Sequence, residues 1–183
     1  MMYKYSELLK KYGSRRKADY QITSGKYVKI TKGLYKSRDD LTNPYELLCA
    51  KYSNITITLQ SAAAYYGLTE YISEKYNIVS IRNQSPIKDE NVSQTYMKKE
   101  MFYIGREKIE SESGFFYIYD KERLLIEIIR HKNKLPFDFY KDVINNYRQL
   151  VAKRELNLLN LVEYLSQITY GDGFLSRIEE VIL

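Results

Sequence analysis

The chain has 183 residues, of which 44% are hydrophobic and 28% are charged. This composition argues against a disordered protein and predicts one compact domain or two small ones. No apolar stretch approaches the roughly 18–20 residues of a membrane helix, and residues 1–11 lack the apolar run of a secretory signal. We therefore expect a cytoplasmic protein without a membrane partner. The single cysteine, Cys49, excludes a disulfide framework.

Positive charge is concentrated at the N-terminal end. Residues 1–38 hold eleven Lys and Arg against two acidic residues, a net charge of +9, whereas residues 39–183 carry a net charge of −3. A basic segment on a slightly acidic body is typical of a module that binds a polyanion. Basic termini are also often solvated tails, so the pattern inside the segment has to decide between the two.

The basic segment has the pattern of two short helices. Ser6 is expected to cap the first helix, which ends at Gly13, and Ser14 is expected to cap the second. The second helix is predicted from Arg15 to about Ser24, before Gly25. No earlier helix completes a three-helix core, so we expect this module to lean on the rest of the chain.

A basic hairpin is predicted directly after the second helix. Residues 26–30 alternate like a strand, residues 31–33 form a turn, and residues 34–36 form the return strand. Helix, tight turn, helix and hairpin together predict a winged helix-turn-helix DNA-binding module over residues 1–38.

The candidate DNA contacts follow from helical periodicity. Ala18 and Ile22 lie four residues apart and share an inner face, so the opposite face carries the candidate groove contacts. These are Arg16, Lys17 and Tyr20. Arg15 lies nearer the inner face and is expected to hold a phosphate, and Lys29 and Lys32 on the wing to contact the backbone or a minor groove. Tyr27 and Tyr35 are interpreted as hairpin packing.

Residues 41–183 read as a second, α+β part. Asn43-Pro44 opens a helix, and Ser61 is expected to cap another that ends at Gly67. Strands are predicted at 54–59, 76–82, 96–104 and 114–119, with polar stretches at 84–93 and 107–113. Residues 120–183 have the apolar periodicity of four amphipathic helices, the last two separated by Gly171-Asp172-Gly173. The last helix is marked by Leu175, Ile178 and Ile182.

Little in the sequence indicates an enzyme. With one histidine and one cysteine, neither a histidine-rich metal site nor a cluster of Cys–His pairs can form. His131 is interpreted as a histidine at a helix C-terminus, and Cys49 as a small buried side chain. Glu122 and Glu127 lie five residues apart and diverge on a helix, so we interpret them as a solvated face. We expect no catalytic residues, no metal and no cofactor.

Three segments of the chain resemble the antitoxins of bacterial abortive-infection AbiE systems, which are type IV toxin–antitoxin systems. The first resembles the end of a recognition helix and its wing: Ile22, Gly25, Lys26, Val28, Ile30, Gly33, Leu34 and Tyr35. The second is Ile57-Thr58-Leu59, Ser61-Ala62-Ala63 and Tyr66-Gly67-Leu68-Thr69. The third is Tyr119-Asp120-Lys121-Glu122-Arg123-Leu124-Leu125-Ile126-Glu127. Their order covers the chain from about Tyr5 to its C-terminus.

This resemblance implies a protein with two activities. The N-terminal module would bind inverted repeats in its own promoter and repress the operon, and the antitoxin domain, residues 41–183, would counteract a cognate nucleotidyltransferase toxin in phage defence. The alternative is a protein-interaction adaptor whose basic segment binds an acidic partner, or the toxin itself, without specific DNA binding. Retardation of promoter DNA by the purified protein would separate the two hypotheses.

Overall fold

The structure, a computed structural model, describes residues 1–168 and 174–182 and combines two β-sheets with nine α-helices in these ranges. The predicted α+β class is confirmed. The chain divides into two compact units. The first consists of residues 1–54 and 108–116, and the second of residues 55–107 and 117–183. None of the described helices is both long and apolar enough to cross a membrane.

The first unit is built from a three-stranded antiparallel sheet and three helices. Its elements are β1 (Met2–Lys4), α1 (Tyr5–Tyr12), α2 (Arg15–Thr23), β2 (Tyr27–Thr31), β3 (Leu34–Ser37) and α3 (Pro44–Lys51). The strand order is β1-β3-β2, with Met2 opposite Lys36 and Val28 opposite Lys36 on the other side. The two predicted helices and the predicted hairpin are confirmed, whereas the three-residue strand β1 is too short to show an alternating pattern in sequence.

The two-residue connection between α1 and α2 is fixed by local chemistry. Gly13 has a φ of 73°, a left-handed conformation that ends α1. Ser14 caps α2, because its side chain accepts a hydrogen bond from the backbone N–H of Lys17. The predicted cap at Ser6 is wrong. The helix begins earlier because the Glu7 carboxylate accepts the backbone N–H of Lys4, the N-cap residue, at 2.7 Å.

The core of the first unit is small and joins all of its N-terminal elements. Leu8, Ala18 and Tyr27 are buried against one another, one from each of α1, α2 and β2. The half-buried hydrophobic side chains around them are Tyr3, Leu9, Tyr12, Ile22 and Tyr35. The third helix of this unit is α3, the helix predicted to open at Asn43-Pro44, which follows the hairpin and packs against β2. The first unit therefore extends beyond the predicted 1–38 module.

Residues 108–116 belong to the first unit through a buried carboxylate on α3. Glu46 is 2% exposed and accepts hydrogen bonds from the hydroxyls of Ser111 at 2.5 Å and Ser113 at 2.6 Å. The ring of Tyr45 packs on Phe116 with their centroids 5.5 Å apart. A buried carboxylate is tolerated only when it is hydrogen-bonded, so these serines are part of the unit's structure. The boundary between the two parts predicted from sequence, near residues 38–40, lies inside this unit.

The remaining elements lie in the second unit, except for parts of two strands. They are β4 (Ile55–Ile57), α4 (Leu59–Tyr65), β5 (Tyr76–Ile81), β6 (Val92–Met97), α5 (Lys99–Phe102), β7 (Arg106–Ser111), β8 (Gly114–Tyr119), α6 (Lys121–Arg130), a short 3₁₀ helix (Lys132–Lys134), α7 (Phe137–Ala152), α8 (Leu158–Gln167) and α9 (Phe174–Ile182). Residues 108–111 of β7 and 114–116 of β8 belong to the first unit. The strands form a mixed sheet in the order β6-β5-β4-β8-β7, in which β4 is antiparallel to β5 and parallel to β8.

Most of the helices and strands predicted for this unit are confirmed, including the four C-terminal helices. The predicted strand at 96–104 is wrong, because it contains only the last two residues of β6 and then α5, and the predicted polar stretch 107–113 contains most of β7. Ser61 is not a helix cap, because α4 begins two residues earlier, at Leu59. The Ser61 hydroxyl instead accepts a hydrogen bond from the backbone N–H of Asn77 at 2.8 Å. The Gly171-Asp172-Gly173 break lies outside the described residues, as do the side chains of Leu175 and Ile182.

The helix α6 is the centre of the second unit, because every residue from Glu122 to Ile129 is buried. The interpretation of Glu122 and Glu127 as a solvated face is therefore wrong. Glu122 accepts the backbone N–H of Asn157 at 2.6 Å, and Glu127 pairs with Arg123 at 2.8 Å and with Arg130. Buried charges persist when they are paired in this way, and the i,i+4 spacing brings Arg123 and Glu127 together.

Gly105 tests the packing around α6. Its φ is +66°, and a Cβ added there would lie 2.4 Å from the Cβ of Arg123, whereas Gly67, with a φ of +64°, has no atom within 4 Å of such a Cβ. We expect Gly105→Ala to lower the free energy of unfolding by about 2–5 kcal/mol, through backbone strain and overpacking, and Gly67→Ala by about 1–2 kcal/mol. Urea titration followed by circular dichroism measures both, and equal losses would contradict this packing.

Candidate nucleic-acid interface

The helix α2 has one face that is buried in the unit and one that is exposed to solvent. Ala18 is fully buried and Ile22 half-buried, so both face the core of the first unit as predicted. Arg16, Lys17 and Tyr20 are exposed, and 66% of the Tyr20 surface is accessible. The ring of Tyr20 therefore takes no part in the core of the unit and is accessible beside two cations. The structure therefore brings the three candidate groove contacts together on one face.

These side chains line a depression of about 480 Å³ on the surface of α1 and α2. Its lining residues are Tyr12, Ser14, Arg16, Lys17, Tyr20 and Gln21. Tyr12 and Gln21 are not among the contacts predicted from the sequence. Gln21 could have been found, because it follows Lys17 by four residues and so lies on the same helical face.

Tyr12 is held in place by a hydrogen-bonded group of tyrosines. Its hydroxyl lies 3.0 Å from that of Tyr27, which also accepts a hydrogen bond from the Lys11 ammonium at 3.1 Å. Lys11 lies 5.0 Å from the ring centroid of Tyr3, a cation–π distance. The hydrogen bond with Tyr27 and the nearby Lys26 and Lys11 lower the pKa of Tyr12, and burial raises that of Tyr27. The predicted packing role of Tyr27 is confirmed.

Arg15 lies on the flank of α2 and does not line the depression. Its side chain is 85% exposed, and its Nε lies 3.7 Å from the Asp19 carboxylate. Asp19 also accepts the hydroxyl of Tyr5 at 2.6 Å, which raises the pKa of Tyr5. Asp19 thus organises the flank of the helix beside the cationic face.

The wing residues Lys29 and Lys32 are exposed on the hairpin. Lys29 lies on β2 beside a register shift between Lys29 and Thr31, and Lys32 lies in the turn with Gly33, whose φ is 77°. The left-handed glycine lets the chain reverse within two residues and leaves the Lys32 side chain in solvent. Neither lysine lines the depression, so the structure presents two sets of cations, one on α2 and one on the hairpin.

Charge is divided unequally between the two units. The first unit holds thirteen Lys and Arg and seven Asp and Glu, a net charge of +6, whereas the second holds sixteen of each. The excess positive charge of the protein therefore resides in the unit that carries the α2 face. Such a surface attracts polyanions and releases their counterions on binding.

The second unit offers a different set of titratable groups, centred on Asp120. Asp120 caps α6 by accepting the backbone N–H of Arg123 at 2.7 Å, and its other oxygen accepts the hydroxyl of Tyr164 at 2.6 Å. Burial raises the pKa of Asp120 to about 6. His131 ends α6 as predicted, with its Nδ1 2.9 Å from the carbonyl oxygen of Glu127, and burial lowers its pKa. Among the described residues, no three His, Cys, Asp or Glu side chains are grouped as metal ligands.

Comparison with known proteins finds a structure with a similar fold but no matching family. No protein-family model matches the chain, and no curated protein does. Among solved structures, the chain is similar to the crystal structure of the RV2827C protein from Mycobacterium tuberculosis. The TM-score is 0.69 at 16% sequence identity, over all of this chain and 71% of that one. At this identity the similarity establishes a shared fold.

The raised pKa of Asp120 predicts a specific pH dependence of stability. A carboxyl group whose pKa is raised on folding stabilises the native state below its unfolded pKa, near 4, and loses this contribution as the pH rises through 6. Asn at this position keeps the cap without the charge. Between pH 4 and 7, wild type should therefore lose about 1–3 kcal/mol relative to Asp120→Asn. Urea titrations across this range measure the difference.

The matched control is Asp138→Asn, which removes an exposed carboxylate from the first turn of α7. This variant should follow the pH profile of wild type. If Asp120→Asn also follows it, the Asp120 carboxyl is not buried as described.

Proposed function

We propose that the first unit is a winged helix-turn-helix that binds duplex DNA, with α2 as its recognition helix and the β2–β3 hairpin as its wing. Two helices joined by two residues and followed by a basic hairpin support this proposal. The major groove of B-DNA is wide enough to admit an α-helix, and a hairpin beside it can reach the backbone or the minor groove.

The observation that carries the proposal is the exposed face of α2. Arg16 and Lys17 supply charge and hydrogen-bond donors, Tyr20 supplies an exposed aromatic ring, and all three line one depression. The opposite face of the helix is committed to the core through Ala18. The unit's net charge of +6 favours a polyanionic partner over a neutral one.

The resemblance to AbiE antitoxins extends this proposal to a biological role. We propose that the protein is a cytoplasmic antitoxin and autorepressor, which binds inverted repeats in its own promoter and counteracts a cognate nucleotidyltransferase toxin in phage defence. It acts without catalysis of its own. The resemblance of the three sequence segments alone supports the toxin, whereas the charge and geometry of the first unit support the DNA.

The direct test of DNA binding is the double variant Arg16→Ala/Lys17→Ala. Both side chains are exposed, so we expect unchanged thermal stability together with loss of specific retardation of the promoter fragment. The slope of log affinity against log salt concentration should also fall by about 0.9 for each phosphate contact removed. Electrophoretic mobility shift and fluorescence anisotropy measure these effects.

The matched control is Lys98→Ala/Lys99→Ala, which removes the same charge from two adjacent exposed residues of the second unit. It should bind the promoter as wild type does. Unchanged operator affinity in Arg16→Ala/Lys17→Ala would refute the assignment of α2. A wild-type protein that ignores the promoter but forms a stable complex with the toxin would support the adaptor alternative.

The two proposed activities should be separable in the full-length chain. Truncation near residue 41 would remove β1, α1, α2 and the hairpin but leave α3 and residues 108–116 without the rest of their unit. Arg16→Ala/Lys17→Ala avoids this defect. Co-expressed with the toxin, it should restore growth while a promoter–reporter fusion is derepressed. A folded variant that fails to restore growth would show that neutralisation depends on DNA binding or on this surface.

A further inference from the structure

Gln21 gives the α2 depression a chemical property that cations alone lack. It is half-buried and lines the depression together with Arg16 and Tyr20. Its amide combines a hydrogen-bond acceptor with two donors, whereas Arg16 has donors only. A surface of cations alone can donate hydrogen bonds to phosphate oxygens but cannot accept one from a base, whereas the Gln21 amide can do both.

These two side chains match different base edges of the major groove. The planar guanidinium of arginine fits the two acceptors of guanine, N7 and O6. The amide of glutamine fits adenine, which offers the N7 acceptor beside the N6 donor. Lys17 is a compact, strongly hydrated charge with three donors, which suits a backbone phosphate.

The spacing of Arg16 and Gln21 along α2 fits the spacing of base pairs. The two residues are five positions apart, which corresponds to about 7.5 Å along a helix axis. Base pairs are stacked at about 3.4 Å, so this separation corresponds to about two base-pair steps for a helix that lies along the groove. Tyr20, adjacent to Gln21 in sequence, lies between the two on this face and has 66% of its surface exposed.

We propose that α2 reads a guanine through Arg16 and an adenine through Gln21, about two base-pair steps apart in each half-site, while Lys17 holds the backbone. This inference rests on the proposed DNA binding of the first unit and adds the bases that it recognises. Gln21 is the specificity-determining residue for an A·T pair, and Arg16 is the corresponding residue for a G·C pair.

The test selects bound sequences from a library of randomised duplexes with the full-length protein and measures dissociation constants by fluorescence anisotropy at fixed salt. Wild type should enrich a motif with a guanine and an adenine at the stated spacing. Gln21→Ala should lose the discrimination at the A·T pair, roughly 5- to 150-fold, and keep it at the G·C pair. Arg16→Ala should do the reverse. Lys17→Ala should weaken binding to all sequences by a similar factor.

Gln21→Glu sharpens the test, because a carboxylate accepts a hydrogen bond from the N4 amino group of cytosine but cannot donate one to N7 of adenine. It should move the preference at that position towards cytosine. Gln149→Ala, which removes an exposed glutamine from α7, should keep the wild-type motif. Each variant is first checked for native circular dichroism.

Three outcomes separate the inference from the proposed function. The same wild-type motif in Gln21→Ala and Arg16→Ala overturns the inference and leaves DNA binding intact. A guanine and adenine spaced differently from about two steps overturns the proposed alignment of α2. A library from which wild type enriches no motif overturns specific DNA binding itself, and the inference with it.

Discussion

The buried contact among Leu8, Ala18 and Tyr27 is the interaction on which the organisation of the first unit depends. It joins α1, α2 and the hairpin at one point and fixes which face of α2 turns away from the core. Burying a side chain as large as leucine contributes about 1.5–3 kcal/mol, so Leu8 and Tyr27 carry much of the stability of a small unit. Because Ala18 faces inward, Arg16, Lys17 and Tyr20 must face solvent.

The second unit uses its polar groups differently. Three charged residues of α6, Glu122, Arg123 and Glu127, are buried and hydrogen-bonded or paired within the unit, as with Arg123 and Glu127 at 2.8 Å, and the net charge of the unit by composition is zero. Asp120 caps this helix and accepts the hydroxyl of Tyr164, so its carboxylate serves the packing of α6 against α8. The first unit thus carries the excess positive charge and the cationic face of α2, whereas the second unit is neutral by composition and holds a buried ion pair on α6.

The elements that could be predicted from sequence are those governed by local chemistry. Gly13 with Ser14 fixed the boundary between α1 and α2, and the glycine at position 33 fixed the hairpin turn. The strand β1 could not be predicted, because a three-residue strand is too short to show an alternating pattern and exists only through its pairing with β3. The buried state of Glu127 is likewise a tertiary effect, because helical spacing places Arg123 and Arg130 beside it but only the packing of the unit around α6 buries it. The place of Gln21 in the α2 depression could have been predicted, because helical spacing alone places it beside Lys17.

Hydrogen–deuterium exchange of the full-length protein with and without its promoter duplex tests the central claim most directly. Backbone amides exchange more slowly where DNA covers or orders the structure, and this readout needs no substitution. If α2 and the hairpin bind DNA, amides in residues 14–24 and in the hairpin turn at 31–33 should exchange more slowly, and those of α6 and α7 should be unchanged. Slower exchange confined to the second unit, or none at all, would contradict this binding.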